Sequence, residues 1–143
     1  MLIAHVIRDK GAVVHTIAAD TTLEDAAKEL NAQKIGALVV LDDNRRVIGV
    51  LSERDIVREV ARRGGACLSD TAGSAMSRDV IVALPNETVD EGLGRMTDRR
   101  IRHLPVILDG ELVGIISIGD LVKHRIAAVE AEAAAMQAYI AAQ

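Results

Sequence analysis

The sequence predicts an α+β protein made of two tandem strand-helix-strand-strand-helix units, followed by a long C-terminal helix. The first observation is an internal repeat. Aligning Thr22 with Thr88 pairs Ile35 with Ile101, Leu38 with Leu104 and Val40 with Val106; past a turn the register drops by one, and Gly49 matches Gly114, Ser52 matches Ser117 and Asp55 matches Asp120. The second is that each copy passes through the helical and strand periods in the same order. The third is an apolar seam beyond the second copy, at Ile126, Val129, Ala133, Met136 and Ile140, whose spacings alternate between three and four residues.

Within each copy the first strand falls in a short apolar stretch, "VHTIA" at 14–18 and "VIVAL" at 80–84. The first helix follows. In "TTLEDAAKELNAQKI" Thr22 is a candidate N-cap and Leu23, Ala26, Ala27 and Leu30 share a face; "ETVDEGLGRMTDRRI" repeats this with Val89, Leu93 and Met96. Two strands come next, "ALVVLD" and "VIGVLS" in one copy, "HLPVILD" and "LVGIIS" in the other, joined by the turn-forming "DDNRR" and "DGE". The last helix of each copy begins near Ser52 or Ser117. "RRGGACLSDTAGSA" reads as a linking loop. The boundaries expected are a first unit over 1–68 that includes the N-terminal segment, a second over 69–126, and a helical extension over 127–143.

Composition narrows the function classes. A chain of 143 residues has room for one compact domain or two small halves, and none for a separate catalytic domain. The net charge of −4 argues against a general nucleic-acid binder. With no Trp or Phe and one Tyr, any bound base would lie between aliphatic side chains. Cys67 is the sole cysteine, so neither an internal disulfide nor a cysteine-type zinc site is expected. His5, His15, His103 and His124 show no metal-ligand spacing. No apolar run approaches the ~18 residues of a membrane span and no signal-peptide pattern opens the chain, so a cytoplasmic protein is expected. "GLG" at 92–94 lies within a helical pattern and is no phosphate loop, and the basic residues from Arg54 to Arg63 read as a solvated helix face.

The stretches "DTTLEDAAKELNAQKIGALVVLDDNRRVIGVLSERDIV" and "AMSRDVIVALPNETVDEGLGRMTDRRIRHLPVILDGELVGIISIGDLV" together resemble a tandem pair of cystathionine-β-synthase (CBS) domains, the Bateman module. The resemblance covers well over half the chain. It implies two units packed with pseudo-two-fold symmetry, and a non-catalytic sensor that binds an adenosine-containing ligand such as AMP, ATP, NAD or S-adenosylmethionine in the cleft between the copies. It further implies a homodimer and an effector protein that reads the ligand state.

Site residues follow by position. Ser-x-x-Asp at a helix start is by itself a capping box, satisfying orphan N–H groups. The same geometry suits a nucleotide: free N–H groups for a phosphate, and a carboxylate one turn in that can accept from both hydroxyls of a ribose. The resemblance assigns the ribose to Asp55 and Asp120, with Ser52 and Ser117 near the phosphates. Around the first carboxylate it implies a pocket of Thr16, Ala18, Ile35, Gly36, Ala37 and Arg54. Around the second it implies Val82, Arg102, His103, Leu104, Pro105 and Gly119, with Arg102 and His103 approaching the phosphates. Gly36 and Ala37 stand where the second copy has Arg102 and His103, so the two sites are expected to differ. The other reading is a structural dimerisation module whose capping boxes bind nothing.

Overall fold

Each repeat helix starts where a hydroxyl side chain can accept an orphan backbone N–H. In the computed structural model, which describes residues 1–143, Thr22 caps α2 (Leu23–Gln33) by accepting from the Asp25 N–H at 3.1 Å. Ser52 caps α3 (Glu53–Arg63). The strands of this copy are β1 (Thr16–Ala18), β2 (Ala37–Leu41) and β3 (Val47–Ser52), in the order β1-β2-β3. β1 runs parallel to β2 with Thr16 opposite Val39, and β2 runs antiparallel to β3 with Ala37 opposite Ser52. Asp42 closes the β2–β3 turn, its carboxylate accepting from the N–H groups of Asn44 and Arg46, both at 2.9 Å. Leu23, Ala26, Leu30, Leu38, Val40, Leu51 and Ile56 form the core between helices and sheet.

The segment expected to be a loop is ordered instead. It holds a 3-10 turn (Gly64–Ser69) and the short helix α4 (Ala72–Ala75). Cys67, Ala72 and Met76 join the first copy's core, and this apolar burial is what turns a Gly- and Ser-rich stretch into structure.

The second copy has α5 (Val89–Arg99), β4 (His103–Leu108), β5 (Glu111–Ser117) and α6 (Ile118–Ala141). Its expected first strand is reduced to one bridge between Ala83 and Val106, leaving a two-stranded sheet. Pro105 is the cause. In the first copy the Val39 N–H donates to the His15 carbonyl at 3.3 Å; Pro105 stands at the matching position and has no N–H to give. Arg95 takes over part of the task. Its guanidinium donates to the Val82 carbonyl at 2.9 Å and pairs with Glu87, whose carboxyl it holds below the usual range.

Near the N-terminus, where the sequence carried no structural signal, eight residues form α1 (Ile3–Lys10). Contacts divide the chain into Val13–Ile81 with Gly110–Leu112, and Met1–Ala12 with Val82–Asp109 and Val113–Gln143. By packing, residues 1–12 thus group with the second copy and residues 69–81 with the first. The physical reason is burial. Ile3 and Val6 of α1 are fully buried, and the Ile3 and Ala4 N–H groups donate at 2.9 Å to the Glu87 and Pro85 carbonyls.

A hidden symmetry accounts for this arrangement. The bridge of Leu2 to Thr88 matches that of Thr71 to Thr22, so α1 and α4 are corresponding parts of the repeat, offset by sixty-nine. Two equivalent glycines receive them. A Cβ on Gly49 would lie 2.3 Å from Met76 Sδ, and one on Gly114 would lie 2.5 Å from Ile7 Cδ1.

α6 keeps a helical path far past the second copy's core, and every residue from Val129 onward is exposed. No helix is long and apolar enough to cross a membrane.

Within α5 the two glycines of "GLG" behave oppositely. A Cβ on Gly94 meets nothing within 4 Å, whereas one on Gly92 would lie 2.9 Å from Leu121 Cδ1. Gly94→Ala should therefore raise unfolding stability by about 0.5–1 kcal/mol, and Gly92→Ala should give no gain, as read by urea denaturation. A gain at Gly92 matching that at Gly94 would contradict the packing described.

Candidate functional site

The repeated Ser-x-x-Asp stretches fold into matching polar clusters, one per copy. In the first, the Asp55 N–H donates to Ser52 Oγ at 3.2 Å, and Asp55 Oδ2 accepts from the Ser52 N–H at 2.9 Å and from the Ser52 hydroxyl at 3.1 Å. In the second, the Asp120 N–H donates to Ser117 Oγ at 3.1 Å and Asp120 Oδ2 accepts from the Ser117 N–H at 2.8 Å. Both are reciprocal capping boxes, which fix each carboxylate at the positive end of its helix.

A second restraint ties each cluster to the strand expected to line the pocket. The Glu53 N–H donates to the Gly36 carbonyl at 2.9 Å, and the Ile118 N–H donates to the Arg102 carbonyl at 2.8 Å. Ile35, Gly36 and Ala37 are thereby brought beside Ser52 and Asp55; Arg102 and His103 are brought beside Ser117 and Asp120. Gly119 sits exposed in the first turn of α6, matching the exposed Arg54 in the first turn of α3.

The remaining expected residues are placed less directly. Thr16 and Ala18 are exposed on β1, which lies across β2 from Ser52. The Val82 carbonyl is engaged by Arg95. Leu104 is fully buried and Pro105 is buried, so Leu104 contributes to the core before anything else. Arg102 is exposed, and its side chain makes no ion pair. An apolar groove of about 510 Å³ runs between α2 and α3. It shares Ile35, Gly36 and Glu53 with the polar cluster but includes neither Ser52 nor Asp55, so it is a feature of the helical face and not the carboxylate site.

Two basic residues of α3 pair along their own helix, Arg62 with Glu59 at 2.7 Å and Arg58 with Asp55 at 3.2 Å, while Arg63 reaches Asp70 beyond it. Two of the histidines serve structural contacts. His5 Nδ1 accepts from the Leu2 N–H at 3.1 Å, and His124 stands 3.0 Å from the Asp120 carbonyl and 3.2 Å from Asp9.

The two carboxylates differ in one respect that the sequence did not disclose. Lys10, at the end of α1, places its ammonium 2.6 Å from Asp120 Oδ2 and donates to the Ile115 carbonyl at 2.9 Å. Asp55 has only Arg58 as a charged partner, on a side chain 71% exposed. Lys10 escaped notice because nothing in the sequence joins residue 10 to residue 120 until α1 is known to pack on the second copy. Burial by itself would push the Asp120 carboxyl up, but the Lys10 ammonium and the Ser117 N–H together hold it below the ordinary aspartate value of 3.8. Its folded value thus lies below its unfolded one, so the pair stabilises the fold above that range and the contribution is lost as pH falls through the folded value. Carboxyl NMR titration should place Asp120 below 3.8 in the parent and higher in Lys10→Met; an unmoved midpoint would show that the ion pair does not form.

The CBS domain family matches residues 9–62 and 72–127. A mitochondrial CBS domain-containing protein of Arabidopsis thaliana is 34% identical over 125 residues, spanning 85% of this chain and 61% of that protein. The chain thus covers about three fifths of that relative's length. Among solved structures, a CBS-domain containing protein from Agrobacterium tumefaciens superposes with a TM-score of 0.85 at 42% identity, over 87% of this chain and 92% of that one. Another CBS domain pair, solved in complex with 5′-methylthioadenosine and S-adenosyl-L-methionine, gives a TM-score of 0.77 at 25% identity, over 86% of this chain and 94% of that one.

Proposed function

The chain belongs to the CBS-domain family and carries two copies of the domain, and on that premise we propose that it is a non-catalytic regulatory module that binds adenosine-containing nucleotides and signals their presence to a partner protein. The observation that carries this reading is the pair of carboxylates, Asp55 and Asp120, each locked by its own capping box beside the start of a strand. A carboxylate held this way has its rotamer fixed in advance, so a ribose diol can donate to it without an ordering penalty. The complex of the related domain pair with two adenosyl compounds supports the choice of ligand class. AMP, ATP, NAD and S-adenosylmethionine share the adenosine that these residues would recognise.

Titration calorimetry with those four ligands tests the reading. Asp55→Ala and Asp120→Ala should each weaken nucleotide binding at their own site by about 1.5–3 kcal/mol, the range for hydrogen bonds to a charged group. Each substitution also removes half of a capping box, so stability should fall by about 1 kcal/mol, with the loss of affinity the larger of the two effects. Variants that bind AMP as tightly as the parent while melting much lower would make the boxes purely structural.

Arg102 supplies the phosphate end of the second copy's site in this account, since it is exposed, carries no ionic partner, and its carbonyl is pinned to the first turn of α6. Replacing it with Ala should weaken AMP selectively while leaving adenosine nearly unchanged, and should flatten the salt dependence of binding. Equal losses for both ligands would place the guanidinium away from the phosphates.

The extension of α6 supports self-association. Val122, Ile126, Val129, Met136 and Ile140 are all between 41% and 67% exposed and fall on one heptad seam, and no segment of the chain covers the helix from Val129 onward. A homodimer would bury that row. Light scattering should find a dimer for the parent and a monomer for the Val129→Glu, Met136→Glu double variant; a monomeric parent would end the dimer reading while leaving ligand binding intact.

A further inference from the structure

The ion pair between Lys10 and Asp120 has no counterpart in the first copy, and the reason is visible in the backbone. At the position matching Ile115, the first copy has Val50, whose carbonyl accepts from the Ser77 N–H at 3.0 Å. The second copy fills that same carbonyl with the Lys10 ammonium, which then reaches on to Asp120 Oδ2. Lys10 is not the end of a loose tail. The helix that carries it is seated by Ile7 against Gly114, by Asp9 at 3.2 Å from His124, and by the bridge of Leu2 to Thr88. The ammonium is therefore delivered to the very oxygen that also accepts the Ser117 N–H.

We propose that Lys10 is a specificity-determining residue: it makes the second copy's carboxylate selective for ligands that carry an anionic group next to the sugar diol, while Asp55 in the first copy accepts neutral and anionic ligands alike. The inference rests on the reading of Asp55 and Asp120 as diol-binding groups. A diol that donates to Asp120 has to share the carboxylate with the ammonium or displace it. A displaced ammonium in a partly buried site loses its counter-charge, which is unfavourable unless the incoming ligand supplies another. A phosphate one sugar ring away does so, through a charge-assisted contact. A neutral nucleoside brings no anion and competes at a disadvantage. At Asp55 the only charge to displace is Arg58, which is mostly in water already and is screened there.

Calorimetric titration of the full chain with AMP and adenosine tests this, using Asp55→Ala to isolate the second site and Asp120→Ala to isolate the first. With the second site isolated, AMP should bind roughly tenfold tighter than adenosine. Adding Lys10→Met should shrink that preference to about threefold or less, chiefly by improving adenosine; Lys10→Arg should keep it. With the first site isolated, Lys10→Met should change neither ligand. A preference untouched by Lys10→Met, or a change of equal size at both sites, overturns the selectivity while leaving the adenosine reading in place. Failure of either ligand to bind the parent and every variant overturns the adenosine reading itself, and the selectivity with it. The improvement in adenosine binding separates Lys10 from Arg102, whose loss can only weaken AMP.

Discussion

The reciprocal capping box at the start of the last helix of each copy is the constraint on which the rest depends. It does three things at once. It ends β3 and β5 and begins α3 and α6, so it sets the corner at which strand turns into helix. It aims the N1 amide of each helix at the carbonyl before the neighbouring strand, Gly36 in one copy and Arg102 in the other, which holds sheet and helix in register. It also leaves an acceptor-rich carboxylate in a fixed rotamer at a helix N-terminus, where its charge is favoured. Stability and recognition draw on the same few atoms here. An Asp at this position is therefore a structural residue first, and a ligand residue only because the structural role leaves a carboxylate edge over.

The two copies diverge around that shared corner by small substitutions with traceable effects. Pro105 in place of Val39 removes one N–H, and the first strand of the second copy shrinks to a single bridge. Arg95 then ties the orphaned segment down through the Val82 carbonyl and Glu87. The segment that precedes each copy docks onto a glycine of the other copy's sheet, Met76 on Gly49 and Ile7 on Gly114. One of these segments ends in a short helix and a backbone bridge to Val50; the other runs on as α1 and brings a lysine instead. From near-identical frames the chain thus builds one carboxylate with a solvent-exposed partner and one with a partner that is held in place.

Much of this was legible in the sequence, and what was not has a common physical cause. The repeat of Thr22, Ser52 and Asp55 by Thr88, Ser117 and Asp120 gave both pairs of helix starts, because capping depends on residues three apart and is local. The strands β2 to β5 followed from alternation and turn chemistry for the same reason. α1 was missed: its buried face is only Ile3 and Val6, too short a pattern to stand out, and its stability comes from packing on residues about eighty positions away. The link between Lys10 and Asp120 was invisible for the same reason, being entirely tertiary. "RRGGACLSDTAGSA" misled in the opposite direction, since its Gly and Ser content suggested a loop while Cys67, Ala72 and Met76 were apolar enough to be drawn into the core.

If the fixed carboxylates read a sugar diol, a ligand that lacks only that diol should lose affinity. Calorimetric titration of the intact chain with AMP and with its 2′,3′-dideoxy analogue compares ligands that share base, phosphate and charge. AMP should bind, and the dideoxy analogue should bind at least about tenfold more weakly, the equivalent of ~1.4 kcal/mol for lost charge-assisted hydrogen bonds. Equal affinity for the two would contradict the diol reading, because Asp55 and Asp120 would then be capping residues with no part in recognition.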